Sequence, residues 1–366
     1  MLVVSKRLLA RFYSEKRLWQ GIPSIEKSRK GRLFASFYSG GTKEEYGNFC
    51  AVIKSDDDGK SWSEPVLVAY NGKASRCYDS CLWIDPCGRL WFIWNTMPEF
   101  IAYASVCEDP DAEALKWGKP FPIGNDVMLN KPTVLKDGRW LFPVAVWAEN
   151  VYVMEGVVSK RKDRLAFAYE TRDCGKTFRC LGGADVPGRW FDEHMFLQRN
   201  DGSISMYVRT KYGIGVCHSA DGVKWSEGED SKLKGPNSRF FIRRLKSGNV
   251  LLINHVHFNG RNNLTAQLSL DDGKTFVGGL LLDERCDVSY PDGTQDGEGY
   301  IYAIYDRERG CFKKSLEENR RCAKEILFAK FTEKDILAGK IESAGGMLKQ
   351  IVSKLDNYNG KDLYRN

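Results

Sequence analysis

Hydrophobic and polar residues along this chain alternate in short runs broken by glycine, and only near the end do they recur at helical spacing. One phrase repeats: a turn glycine, a polar residue, then an apolar or aromatic strand. It reads "KGRLFASFY" at Gly31, "CGRLWFIW" at Gly88, "DGRWLFPVAVW" at Gly138, "DGSISMYV" at Gly202, "SGNVLLIN" at Gly248 and "EGYIYAIY" at Gly299. The copies lie 46 to 64 residues apart. Period-two alternation after a turn residue predicts strands. Such a repeat, long enough for several strands, predicts an all-β, six-bladed propeller. The glycine-led strands are read as the inner strands, lining a central channel.

A second phrase interleaves with the first. It is "SDDDGKSW" at Ser55–Trp62, "TRDCGKTF" at Thr171–Phe178 and "SLDDGKTF" at Ser269–Phe276, shortened to "SADGVKW" at Ser219–Trp225. "EDPDAEALKW", ending at Trp117, reads as a decayed copy. Asp and Gly together favour a tight hairpin whose carboxylate caps backbone N–H groups. The hydroxyl adds a local bond, and the closing aromatic packs the turn onto its blade.

Near the end, "EILFAKF" reads as a strand closing the ring with the N-terminal "LLARFY". "TEKDILAGK" reads as a short helix with Thr332 as N-cap and Gly339 as stop. Residues 1–344 are taken as a single propeller. Residues 345–366 are taken as a surface tail, expected to be helical.

Composition agrees. Aromatics make up 12% of 366 residues and glycine numbers 35, while the net charge is only +7. No basic block is present, so nucleic acid is not an expected partner. The opening "MLVVSKRLLARFYSEKR" has neither a signal peptide's apolar run nor a membrane span. Eleven cysteines without a CxxC pair predict free thiols in the cytoplasm, with no zinc or other cofactor.

The second phrase resembles the Asp-box (BNR) repeat of sialidases and their relatives, where the aspartates are structural. The resemblance extends to four site positions. Glu193 precedes one strand and Arg209 ends the next, as do the glutamate that polarises a catalytic tyrosine and an arginine that grips the sugar carboxylate. Arg261 opens the strand leading into an Asp-box, where a further arginine belongs. Tyr290 follows the last Asp-box, at the position of the nucleophilic tyrosine. A phenol of pKa about 10 needs such a base and flanking cations to attack at neutral pH.

The sequence also departs from the family. Gly21, in "WQGIPSI", stands where the first carboxylate-binding arginine would be, with Gln20 adjacent and Arg17 nearby. The loop expected to hold the acid aspartate, "SGGTKEEYGN", offers Glu44 and Glu45. "YPDG" replaces the usual tyrosine–serine pairing and places Asp292 two residues after Tyr290. Lys131, Arg239 and His194 are further candidates for lining the mouth. His255 and His257 share a face but lack a third metal ligand, so they read as satisfied polar residues.

The resemblance implies a retaining, sialidase-like glycoside hydrolase with a carbohydrate substrate. Gly21 points that substrate away from ordinary sialic acid, toward a uronic acid, another acidic sugar or a neutral one. A polysaccharide lyase or uronate-directed enzyme, and a binding-only propeller, are the alternatives on the same scaffold.

Overall fold

The structure is a computed structural model that describes residues 1–147, 162–309 and 322–355. It contains six antiparallel sheets that form the blades of an all-β propeller. Blade 1 comprises Trp19–Lys27, Leu33–Gly40, Phe49–Ser55 and Leu67–Ala69, with Leu2–Val3 added at its outer edge. Blade 2 comprises Arg76–Ile84, Leu90–Met97, Ile101–Cys107 and Phe121–Asn125. In blade 3, two short strands, Val127–Met128 and Thr133–Val134, share the partner Trp140–Ala145, followed by Ala166–Thr171 and Arg179–Ala184. Blade 4 comprises Met195–Gln198, Ile204–Thr210, Gly213–Ser219 and Glu229–Asp230. Blade 5 comprises Phe241–Arg244, Val250–His255, Leu264–Ser269 and Val277–Asp283. Blade 6 comprises Val288–Gln295, Ile301–Arg307, Glu325–Phe331 and Met347–Lys354.

All six turn glycines have positive φ, from 86° at Gly138 to 99° at Gly31, a conformation that favours glycine. The strand that each one leads is the second of its blade, not the inner one. The innermost strand is the one before the turn. Trp19–Lys27 packs against both Arg76–Ile84 and Val288–Gln295. The turn glycines therefore ring one mouth of the channel, while the starts of the inner strands form the other.

The Asp-boxes close the third-to-fourth strand turns. Asp57 accepts from the Ser61 N–H at 2.9 Å, the Ser61 hydroxyl at 2.6 Å and Ser55 at 2.7 Å. Asp173 and Asp271 repeat that pattern with Thr177 and Thr275. These bonds to the ionised form pull the Asp57 pKa down to about 2. The box glycine leans on a neighbouring blade: a Cβ at Gly175 would stand 2.2 Å from Trp91. Between blades 2 and 3, Trp83, Trp91, Trp140 and Phe142 pack edge to face. Each such burial contributes about 1.5–3 kcal/mol.

Two expectations about the chain ends are corrected. "LLARFY" is helical, Lys6–Leu9 and then Ala10–Phe12, and the N-terminal strand that exists pairs within blade 1. Residues 347–354 form a strand on Glu325–Phe331, not a surface helix. Blade 6 is thus completed by the C-terminal segment, because that strand can satisfy the edge of "EILFAKF". The tail beyond residue 355, and Cys311, lie outside the described residues. The helix Glu333–Ala338 has Thr332 as N-cap with a full capping box, and Gly339 as left-handed C-cap.

Candidate active site

Three inner strands share a local distortion at the start-of-strand mouth. Pairing slips between Gly21 and Ser24, between Tyr78 and Cys81, and between Ser289 and Asp292. The residue inside each bulge has positive φ: Ile22 at 55°, Asp79 at 47° and Tyr290 at 56°. In blade 4, Glu193 at 44° occupies the corresponding place before Met195–Gln198. A left-handed conformation costs a non-glycine residue about 1–3 kcal/mol, and such strain concentrates at functional sites. Here it turns four side chains toward one cavity of about 190 Å³, which all four line.

Tyr290, Glu193 and Arg209 form a hydrogen-bonded triangle. The Tyr290 hydroxyl donates to Glu193 Oε1 at 3.1 Å, and Arg209 Nη1 donates to the same oxygen at 2.7 Å and to the Tyr290 oxygen at 3.1 Å. Glu193 Oε2 is buried without a hydrogen-bond partner among the described residues. Burial and the Glu193 charge raise the Tyr290 pKa, outweighing the opposing pull of Arg209, Arg309 and Arg261. The phenol is therefore neutral at rest, with an acceptor already on its proton.

Asn237 aligns two arginines. Its side-chain oxygen accepts from Arg209 Nε at 2.8 Å, and its carbonyl accepts from Arg209 Nη2 and Arg261 Nη2, both at 3.1 Å. Arg261 has no carboxylate partner among the described residues. Its pKa is lowered by desolvation and by the like charges of Arg309 and Arg209. A cation in that position favours an incoming anion.

Three residues that sequence reasoning missed complete the cavity. Arg309 lies over the Tyr290 ring at 4.4 Å and bonds to Asp306 at 3.4 Å. It fills the space beside Gly21, where a Cβ would stand 2.6 Å from Arg309 Cδ. Arg76 donates to Tyr38 and to Glu44, both at 2.7 Å. Asp79 makes no side-chain hydrogen bond among the described residues. Desolvation, aided by Glu44 and Glu193 against the pull of Arg76, raises its pKa to about 7. None of the three stands in a motif. The available signals were only an arginine just after a second strand, and an arginine and an aspartate at the start of an inner strand.

Several other predicted residues are engaged in structural contacts. Glu44 lines the cavity but pairs with Arg76 and stands 3.7 Å from Arg309. These cations outweigh burial and lower its pKa, so it holds no proton to give. Glu45 caps its own loop, accepting from the Thr42 N–H. Gln20 is fully buried and stitches blade 1 to blade 6 through Lys324 and Ser353. Arg17 lies against Phe37 and bonds to Ser353. His194 is buried on the Phe167 carbonyl at 2.8 Å, and desolvation lowers its pKa to about 4.

Lys131, Arg239 and Asp292 do not line the mouth. They plug the channel below it. Lys131 pairs with Glu26 at 2.9 Å and Asp292 at 3.1 Å, and Arg239 pairs with Asp292 at 3.3 Å and bonds to Asn130 at 2.7 Å. Asp292, two residues beyond Tyr290, is fully buried and also accepts from the Ser24 hydroxyl and the Ile25 N–H. His255 bonds to the Asn262 carbonyl through Nδ1 at 2.7 Å but its buried Nε2 has no partner among the described residues, so it is only half satisfied, whereas His257 is exposed.

A family model described as a BNR repeat-like domain matches residues 31–303. Among solved structures, a protein of unknown function from Dyadobacter fermentans gives a TM-score of 0.61 at 18% identity, over 80% of this chain and 91% of that one. The intramolecular trans-sialidase from Ruminococcus gnavus, in complex with oseltamivir carboxylate, gives 0.63 at 14%, over 89% and 97%. The Hadza microbial sialidase Hz136 gives 0.63 at 16%, over 80% of this chain and 64% of that one. At these identities the likeness is one of fold. No curated protein sequence matches.

Proposed function

The chain belongs to the BNR repeat-like domain family, and from that premise we propose that it is a glycoside hydrolase that removes a terminal acidic sugar with retention of configuration. The observation carrying this reading is the triangle in which the Tyr290 hydroxyl already donates to Glu193 Oε1 while Arg209 holds both oxygens. The cavity, about 190 Å³, is smaller than the roughly 300–1,000 Å³ of drug-sized sites and suits one sugar ring. Arg209, Arg261 and Arg309 supply its anion-binding charge. Because Arg309 stands beside Gly21, the loss of the first motif arginine no longer argues against sialic acid.

In the first step the Tyr290 oxygen attacks the anomeric carbon and passes its proton to Glu193. The bond to the leaving oxygen breaks, and that oxygen takes a proton from Asp79. A neutral phenol approaches a carboxylate-bearing carbon without the repulsion that a carboxylate nucleophile would meet. In the second step water attacks the anomeric carbon and gives its proton to the Asp79 carboxylate. Tyr290 leaves and recovers its proton from Glu193. Asp79 suits the acid role because it enters the cavity from blade 2, on the same kind of bulge as Tyr290. Its pKa of about 7 keeps a proton available near neutrality.

Aryl glycosides of sialic and uronic acids, with acidic oligosaccharides, test the reading. Aryl alcohol release that disappears in Tyr290→Phe supports it. Full activity in that variant overturns the nucleophile assignment. An unsaturated, ultraviolet-absorbing product means a lyase, and binding without turnover means a binding protein.

A further inference from the structure

The opposite mouth of the channel holds a larger cavity, of about 620 Å³, between the turns of blades 1, 5 and 6. We propose that this mouth binds a small polyanion, a molecule with two or more carboxylate, sulfate or phosphate groups. The proposal stands apart from the hydrolase reading. The Glu26–Lys131–Asp292–Arg239 network plugs the channel between the two mouths, so a ligand here is not substrate in transit.

Charge carries the argument. Six basic and three acidic side chains line the cavity, so positive charge is in excess there. The acidic ones are largely committed. Glu26 pairs with Lys131 and accepts from Thr294, and Asp296 pairs with Lys27 at 3.0 Å. Arg244 is held by Asp272. This leaves the side chains of Arg29, Lys30, Arg243 and Lys246 without an ion-pair partner among the described residues, although Arg29 bonds to the Pro86 carbonyl, the Lys30 N–H donates to Asp111, and Glu298 and Asp111 lie on the Lys30 side of the cavity. Arg243 is half-buried on the inner strand of blade 5, two residues from Phe241 and on the same strand face. A partly buried guanidinium that faces the cavity with no ion-pair partner is poised to pair with an anion bound there. A cavity of this size exceeds a single inorganic ion, so the anionic groups belong to a larger molecule.

The test is calorimetric titration at low salt with citrate, a sulfated disaccharide, inorganic phosphate and a neutral disaccharide. We expect citrate or the sulfated disaccharide to bind wild type and Tyr290→Phe equally. Arg243→Gln should weaken binding about tenfold, Arg243→Lys less, and added salt should weaken it further. Tighter binding of the sulfated sugar assigns an acidic glycan, and tighter binding of citrate assigns a polycarboxylate; either supports the site. Absence of polyanion binding, binding of phosphate alone, or loss of binding in Arg261→Gln but not in Arg243→Gln overturns it.

Discussion

Gly21 and Arg309 occupy complementary space: a Cβ on Gly21 would stand 2.6 Å from Arg309 Cδ and 3.0 Å from its Cβ. Gly21 is in blade 1 and Arg309 follows the second strand of blade 6. The glycine is thus the condition for the arginine, and the pair is predicted to be exchangeable. Arg309→Ala should lower kcat/KM on an acidic glycoside about 10²–10³-fold, the loss expected for one arginine on a desolvated carboxylate. Gly21→Ala should raise KM by displacing Arg309. Adding Gly21→Arg to Arg309→Ala should recover part of the loss. Steady-state kinetics on the four proteins decides it, and no recovery in the double variant would reject the exchange.

Tyr290→Phe and Glu193→Gln should each lower kcat by about three orders of magnitude or more, because each removes one end of a single proton transfer. Their effects should be far from additive when combined. A double variant as impaired as the product of the two singles would mean that the residues act separately.

Asp79 should set the alkaline limb of activity. With a pKa of about 7, it loses the transferable proton above neutrality, so kcat should fall as pH rises past that value. Asp79→Asn should be slow and lack this limb, while keeping more activity on substrates whose leaving groups need no protonation. The same shift bears on stability. The folded pKa lies above the unfolded value of about 3.8, so the folded state binds the extra proton and loses stability as pH rises from about 4 to 7. Asp79→Asn should therefore melt higher than wild type at pH 8 and nearly alike at pH 3.

The channel plug should be a stability element without kinetic consequence. Lys131→Met leaves Glu26 and Asp292 buried without their shared cation, a change that typically costs about 3–5 kcal/mol. Urea unfolding should show a lower midpoint, while KM for the surviving folded enzyme stays unchanged. A large KM effect with normal stability would place Lys131 at the substrate after all.

Asp57→Ala removes three bonds that close the first Asp-box turn and should lower the melting temperature without touching kcat/KM. A loss of activity at full stability would argue for a ligand role for that turn.

The repeats by themselves determined the propeller, its six blades and the turn chemistry of the Asp-boxes, because tight turns and alternating strands are local and each copy states them again. The helix capped by Thr332 and Gly339 was legible for the same reason. Glu193, Arg209, Arg261 and Tyr290, which the resemblance to sialidases singled out, line one cavity. Tertiary structure alone decided the rest. Arg309 could not be paired with Gly21 from sequence, since almost the whole chain separates them and only ring closure brings blade 6 against blade 1. Asp79 showed no motif, because its place in the cavity comes from a bulge in the inner strand and its raised pKa from burial near Glu44 and Glu193. Lys131, Arg239 and Asp292 looked like mouth residues until the fold brought them together in buried ion pairs across the channel below it. The glycine-led strands proved to be second rather than inner, because a turn marks the end of a strand without saying which side of it faces the axis.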